Sequence, residues 1–259
     1  MGSLVTRFAP SPTGFLHLGH VVNAIYVWGI ARRHGARVLL RIEDHDRIRC
    51  RPEYEAALLE DLAWLGFTAD EPCYRQSDHP EVYAAALEQL RRDCHVFACD
   101  CSRRELGGGE QYAGRCRSRG LTEGPGRGLR VAECDDLLIR DRDGHWTYQF
   151  SVTVDDVRQG VNLIIRGRDV EASTARQVKL AGLLGRHDVP AFIHHPLLLK
   201  DSGEKLSKAA RDTGIRELRA AGMDAAEVIG LAAAQAGLTP APRPIAATSV
   251  SSLFTDFSV

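Results

Sequence analysis

Arg7-Phe8-Ala9-Pro10-Ser11-Pro12-Thr13-Gly14-Phe15-Leu16-His17-Leu18-Gly19-His20 is the stretch on which the reading of the fold turns. A short β-prone segment, Leu4 to Phe8, runs into a Pro- and Gly-rich turn. The turn leads into a helical pattern from about Gly19 to His34, with Val22, Ile25, Tyr26, Gly29 and Ile30 at i, i+3, i+4 spacing. Gly35 stands where that helix stops. Two imidazoles three positions apart at a helix start offer N–H donors where the helix dipole already favours an anion. Gly19 between them lets a planar base or a phosphate approach the backbone. Strand, turn and helix in this order point to nucleotide binding.

The pattern continues outward. Arg37 to Ile42 (RVLLRI) reads as a buried strand that ends in Glu43-Asp44, and Pro52 to Leu65 and Pro80 to Arg92 read as amphipathic helices opened by proline. This alternation predicts an α/β fold, a Rossmann-type nucleotide-binding parallel sheet with crossover helices. From Asp93 to Cys134 the periodicity breaks into a Cys-, Gly- and Arg-rich stretch. It then returns: Thr147 to Val154 (TYQFSVTV), Val161 to Ile165 and Phe192 to Leu199 read as strands, and Ala172 to Leu184 as a helix. Ile215 to Ala221 and Ala225 to Ala236 read as short helices, and the Pro-, Ala- and Ser-rich residues from Pro240 as a loosely held tail. The expected organisation is a first half of the catalytic domain over residues 1–92 and an insertion over 93–134. A second half over 135–210 and a short helical segment with a tail over 211–259 complete it.

Composition narrows the class. The 259 residues are 44% hydrophobic and 26% charged, and 33 basic residues against 34 acidic ones leave no global basic field to advertise a nucleic-acid binder. The start, MGSLVTRFAPSPTGF, is too broken for a signal peptide, and no apolar run approaches the roughly 20 residues that span a bilayer. A soluble, cytoplasmic protein without membrane contact is expected. Seven cysteines, an odd number, fit a disulfide scaffold poorly, and Cys99, Cys101 and Cys116 bunch in a way that suggests metal. Only four of the basic residues are lysines, and Lys200, Lys205 and Lys208 fall within nine positions of one another. Such flexible point charges suit a polyphosphate. Asp155-Asp156 after the expected strand reads as a simple helix cap, and His194-His195 as packing or surface residues, with strand residues near the nucleotide as the alternative.

At these residues a resemblance appears. PSPTGFLHLGH resembles the HIGH motif and Lys205-Leu206-Ser207-Lys208 the KMSKS motif of class I aminoacyl-tRNA synthetases. RFAPSPTG, Arg41-Ile42-Glu43-Asp44, Tyr148 in WTYQFSVTVDD, and Ile165-Arg166-Gly167-Arg168-Asp169 look like the catalytic domain of glutamyl-tRNA synthetases, in order and spacing from about Arg7 to Lys208. Only about fifty residues follow Lys208, a shape that resembles the truncated glutamyl-Q tRNA(Asp) synthetase branch. The resemblance implies activation of L-glutamate by ATP without tRNA, and transfer to queuosine at the wobble position of tRNA(Asp), by a monomer. It implies catalytic roles for His17, His20, Lys205 and Lys208. It implies a glutamate site of Arg7, Ala9, Ser11, Glu43, Tyr148 and Arg166, and an ATP site of Pro10, Thr13, Gly14, His17, Gly19, His20 and Lys208. Mg²⁺ accompanies ATP, bound largely through phosphates. The competing expectations are a short glutamyl-tRNA synthetase charging a 3′ end and a non-catalytic tRNA-binding paralogue.

The same resemblance implies a structural zinc site of Cys99, Cys101, Tyr112 and Cys116. Chemistry alone leaves His95 and Cys134 competing with Tyr112 for the fourth place, because a phenol is an unusual zinc ligand. Between Arg91 and Arg130 nine arginines face five acids, which reads equally well as a solvated loop face or as a phosphate-contacting patch for tRNA.

Overall fold

The computed structural model describes residues 3–46, 48–102, 112, 114–198 and 214–255. In chain order the strands are β1 (Val5–Phe8), β2 (Arg37–Ile42), β3 (Tyr74–Arg75), β4 (Val96–Cys99), β5 (Gly128–Val131), β6 (Leu137–Arg140), β7 (Leu163–Gly167) and β8 (Ala191–His195). The helices are α1 (Leu18–Arg33), α2 (Pro52–Leu65), α3 (Pro80–Asp93), α4 (Tyr148–Arg158), α5 (Thr174–Leu183), α6 (Ile215–Ala220) and α7 (Ala225–Gln235). Two compact units result. The first is Met1–Ser77, Val161–Glu171 and Pro190–Val259; the second is Asp78–Gly160 and Ala172–Val189.

The first unit carries the parallel sheet. β1 pairs with β2 and β2 with β3, while β7 pairs with β8, all in parallel. Asn162 joins the two ladders: its N–H donates to Val5 O at 3.1 Å, and its side-chain oxygen accepts from Val5 N–H at 2.8 Å. The chain therefore winds outward from β1 to β3 and returns on the other side of β1 to lay down β7 and β8. Strand order reverses between β1 and β7, and in open α/β sheets ligands bind at the carboxyl ends of the strands beside such a reversal.

Period-two alternation gives the sheet two different faces. Phe8, Val38, Ile42, Leu163 and Ile165 join the main core with the buried residues of α1, α2 and α7. On the opposite face Val5, Leu39, Val161 and Ile164 form a small apolar cluster with Phe192 against it. The tail expected to be loosely held is instead packed. Residues Ala247–Phe254 form a 3₁₀ helix against α1, with Val250 and Phe254 buried. The Phe254 ring lies where a Cβ on Gly29 would stand, so α1 needs glycine there. Ile245 N–H donates to Ala226 O at 2.9 Å, and buried apolar residues hold this segment where its Pro, Ala and Ser content alone suggested looseness.

The second unit is built on the antiparallel sheet β4-β5-β6, with α3, α4 and α5. Its core joins Tyr83, Leu87 and Leu90 of α3 to Leu129, Val131, Ile139, Phe150, Val154 and Leu180. TYQFSVTV is helix, not strand: α4 begins at Tyr148, and every residue from Phe150 to Asp156 is buried. A segment buried on all sides gives no period to read, and packing overrides the β-branched preference of Val and Thr. Thr147 marks the change, its N–H donating to Ile139 O at 3.0 Å and its hydroxyl to Leu138 O at 2.7 Å before the helix starts. Asp155 and Asp156 are accordingly not a cap. They lie buried in the last turns of α4, and Asp155 accepts from the Tyr83 hydroxyl at 3.0 Å.

Candidate active site

The turn between β1 and α1 is fastened to the end of β2. Glu43 N–H donates to Pro10 O at 3.1 Å and Arg51 N–H to Pro12 O at 3.1 Å, while Thr13 N–H closes onto Ser11 O at 2.8 Å. Ala9, Ser11 and Thr13 are half-buried and Pro10 and Gly14 buried, so the turn forms one wall beside Glu43. His17 caps α1. Its Nδ1 accepts from Gly19 N–H at 3.1 Å, and His20 Nδ1 accepts from His17 N–H at 3.2 Å. A neutral imidazole that accepts at Nδ1 carries its proton on Nε2. Both rings, with centroids 4.0 Å apart, thus become Nε2–H donors at a helix N-terminus, the arrangement an anion meets most favourably.

The second wall comes from the smaller apolar face of the sheet. Two residues beyond Val5, Leu39, Ile164 and Phe192 on their own strands stand Arg7, Arg41, Arg166 and His194, and Glu43 follows Arg41 by two more. Each strand therefore changes on this face from an apolar row to a charged row at its carboxyl end. Arg7, Arg41, Glu43 and Arg166 are each no more than 5% exposed. Arg7 Nη1 donates to Ile165 O at 3.4 Å, and Arg41 Nη1 lies 3.7 Å from Glu43 Oε1. Arg166 Nε donates to His194 Nε2 at 3.2 Å, with its guanidinium 5.2 Å from the centre of the Phe192 ring. Burial, reinforced by the Arg166 charge, holds His194 below the usual imidazole range, so it stays a neutral acceptor. Three guanidiniums and one carboxylate on one face leave an excess of positive charge, which suits a ligand with more than one anionic group.

His195, on the other face, is structural: it stacks on Tyr26 at 4.9 Å and contacts Asn23 Oδ1 and Pro196 O. Arg41 is the residue the sequence reading left out, although its alternation with Glu43 in RVLLRIED marks both for the same face. Tyr148 stands at the start of α4 in the second unit, 37% exposed. Lys205 and Lys208 lie outside the described residues. The chain just after them does reach the site, since Gly214 pairs with His17 and Ile215 N–H donates to Leu16 O at 3.1 Å.

In the second unit Cys99, Cys101 and Cys116 bring three buried Sγ atoms within 4.8 Å of one another. The Tyr112 hydroxyl accepts from Cys116 N–H at 2.5 Å, and its ring lies 4.0 Å beneath the Arg130 guanidinium. Burial and the neighbouring thiols push Cys101 up to about 12. Burial also acts to raise Cys116, but hydrogen bonds from Tyr112, the Asp100 amide and Cys101 bring it below its ordinary value. Three buried sulfur donors in one cluster suit a thiophilic cation such as zinc. The other fourth-ligand candidates lie elsewhere. His95 is exposed, and Cys134 belongs to the α3–α5 core, its thiol donating to Arg176 O at 3.2 Å.

Among the described residues, four arginines of this stretch form ion pairs within their own unit. Arg91 pairs with Glu88 and Glu123, Arg117 with Asp136, and Arg115 and Arg119 with Asp100.

Residues 3–120 and 128–240 match the family model of the catalytic domain of class I tRNA synthetases, E and Q. A glutamyl-Q tRNA(Asp) synthetase of Synechococcus sp. (strain CC9605) is 41% identical, over 94% of this chain and 87% of the relative. One of Rhodobacter capsulatus is 36% identical, over 87% of this chain and 98% of the relative. A glutamate–tRNA ligase of Nitratidesulfovibrio vulgaris (strain DP4) is 38% identical, over 80% of this chain but only 52% of its own length. Among solved structures, a glutamate-tRNA synthetase from Elizabethkingia anophelis superposes with a TM-score of 0.68 at 28% identity, covering 86% of this chain and 54% of that one.

Proposed function

Since this chain belongs to the class I tRNA synthetases of the glutamate and glutamine branch, and is thus an ATP-dependent ligase, we propose that it activates L-glutamate without tRNA and transfers it to queuosine in tRNA(Asp). The observation that carries the first half is the buried row of Arg7, Arg41, Glu43 and Arg166 beside the imidazole pair of α1. Glutamate brings two carboxylates and one ammonium. Arg7 and Arg166 each take a carboxylate through a planar fork of donors, Glu43 takes the ammonium, and Ala9 and Ser11 complete the contact.

One oxygen of the substrate α-carboxylate attacks the α-phosphorus of ATP. That bond forms as the bond to pyrophosphate breaks, leaving glutamyl-adenylate. No protein nucleophile is needed, so acceleration comes from alignment and from donors aimed at the growing charge. His17 and His20 present Nε2–H to the phosphate region. Pro10, Thr13, Gly14 and Gly19 wall the nucleotide, and Lys205 and Lys208 neutralise the departing pyrophosphate. Mg²⁺, held mainly by the phosphates, supplies further charge neutralisation. In the second step a hydroxyl of the queuosine cyclopentenediol attacks the activated carbonyl, and AMP leaves.

Zinc belongs to this reading as a structural ion on Cys99, Cys101, Cys116 and Tyr112. The donor set fits it, and among the described residues these cysteines share only a small apolar cluster with Phe97.

Relatives named for queuosine-specific transfer align over most of their own length, which supports the second half of the proposal. Its test is glutamylation of tRNA(Asp) prepared with and without queuosine. The expected result is glutamate on the modified tRNA alone, stable to removal of the 3′-terminal adenosine. Equal labelling of both tRNAs, lost with that adenosine, would replace the proposal with 3′-end charging.

A further inference from the structure

The chain entering α6 meets the turn that opens α1 at three consecutive residues. Gly214 pairs with His17, Ile215 N–H donates to Leu16 O at 3.1 Å, and the Arg216 guanidinium lies 5.4 Å from the centre of the Phe15 ring. The three contacts step along the two segments in opposite directions, one residue at a time, so the segments are clasped in one register. Both belong to the first unit. Ile215 is fully buried in the main core and fixes the middle of the clasp. Its outer end depends on Arg216, whose side chain is 43% exposed.

Two neighbouring carboxylates of α2 hold Arg216 in place. Its Nη2 donates to Glu60 Oε2 at 2.7 Å, and its Nε lies 3.6 Å from Asp61 Oδ1. Glu60 is 57% exposed, and a solvated pair of that kind contributes little. Asp61 is 0% exposed, and neither of its oxygens has a hydrogen-bond partner among the described residues. A buried carboxylate in that state is strongly drawn to a positive charge laid against it, which Arg216 supplies. Arg219 offers an internal comparison. It too pairs with Glu60, at 3.0 Å, and lies over an aromatic ring, Trp64, at 5.2 Å, but that ring belongs to α2 and not to the turn.

We propose that Asp61 and Arg216 are positioning residues for nucleotide activation: the buried carboxylate fixes the guanidinium over Phe15, and the clasp keeps His17, two residues on, aimed at the phosphates. The proposal rests on the nucleotide reading above and deepens it. Its effect is one of alignment, and a misplacement of about 1 Å costs on the order of a hundredfold in rate when reacting groups must be in line.

The test is glutamate-dependent ATP–pyrophosphate exchange by the full-length chain, wild type against Arg216→Gln, Asp61→Asn, the double variant and Arg219→Gln. Wild-type exchange alone tests the underlying reading; only the variants test the clasp. For Arg216→Gln, kcat is expected to fall about tenfold and KM for ATP to rise about fivefold, with KM for glutamate within about twofold. Asp61→Asn moves the same two parameters by about threefold, and the double variant is no worse than Arg216→Gln alone, because the two residues act as a pair. Arg219→Gln stays within about twofold of wild type throughout. Equal effects of Arg216→Gln and Arg219→Gln overturn the proposal, as do KM values for ATP and glutamate that rise together, or ATP parameters that do not move. Should Arg216→Gln fail to fold because it strands the buried Asp61 charge, the double variant, which removes both charges, decides by the same split between ATP and glutamate.

Discussion

Arg7, Arg41, Glu43 and Arg166 sit on or beside strands fixed through parallel pairing, whereas Cys99, Cys101 and Cys116 sit on a four-residue strand and the irregular chain after it. Both groups are buried. In the first, hydrogen-bonded backbone and an apolar row beneath hold the charged groups in place before any ligand arrives. In the second, the apolar support among the described residues is Phe97 and the cysteines themselves, with Tyr112, Leu121 and Ala132 against them. A sheet can keep an excess of charge ready for a substrate that comes and goes, while a thiol cluster on weak scaffolding depends on an ion that stays.

The largest expected effect follows from that dependence. Cys99→Ser is expected to lose nearly all bound zinc and, with it, several kcal/mol of stability in the second unit. Metal analysis and thermal unfolding check this, and an unchanged zinc content would erase the distinction between the regions. Arg166→Ala should leave the protein folded with its zinc but lower kcat/KM for glutamate about a hundredfold or more, roughly 3 kcal/mol. If zinc binding fell as well, the two regions would not be independent. Next comes Tyr112→Phe, which keeps the ring under Arg130 and removes only the hydroxyl. A roughly tenfold loss of zinc affinity in a chelator competition is expected if the oxygen is a ligand, and no change would give the fourth position to another group.

The smallest effect concerns pH. The His194 imidazole lies below its ordinary value of 6.5 because burial and Arg166 disfavour its charged form. A histidine depressed in this way contributes stability that is present above the unfolded value and lost as pH falls through the folded one. Acidification through the depressed folded value should therefore cost stability, because it places a second cation beside Arg166. His194→Gln, which still offers an acceptor to Arg166, should flatten that decline by roughly threefold. An identical acid profile in the variant would remove His194 from the account.

The difference between the regions also explains what could be read from sequence. The β1–α1–β2 rhythm, the helices opened by Pro52 and Pro80, and the cysteine spacing are local signals, and the structure has them at the expected places. The α4 segment reads as a strand because Tyr, Phe, Val and Thr favour strands, and only tertiary burial makes it a helix. The tail differs for the opposite reason: its composition is loop-like, but Ile245, Val250 and Phe254 are core residues. Arg41 stands in the sequence only as part of the Arg41-Ile42-Glu43-Asp44 motif, because nothing local distinguishes a buried arginine in a strand until the sheet shows both of its faces covered.

The measurement closest to the central claim is ATP–pyrophosphate exchange without tRNA, run with glutamate, glutamine, aspartate and no amino acid. Exchange that depends on glutamate and falls to background with the other three is the predicted result. Exchange that needs no amino acid, or that favours glutamine, would mean that the buried guanidiniums of β1, β2 and β7 serve some other ligand.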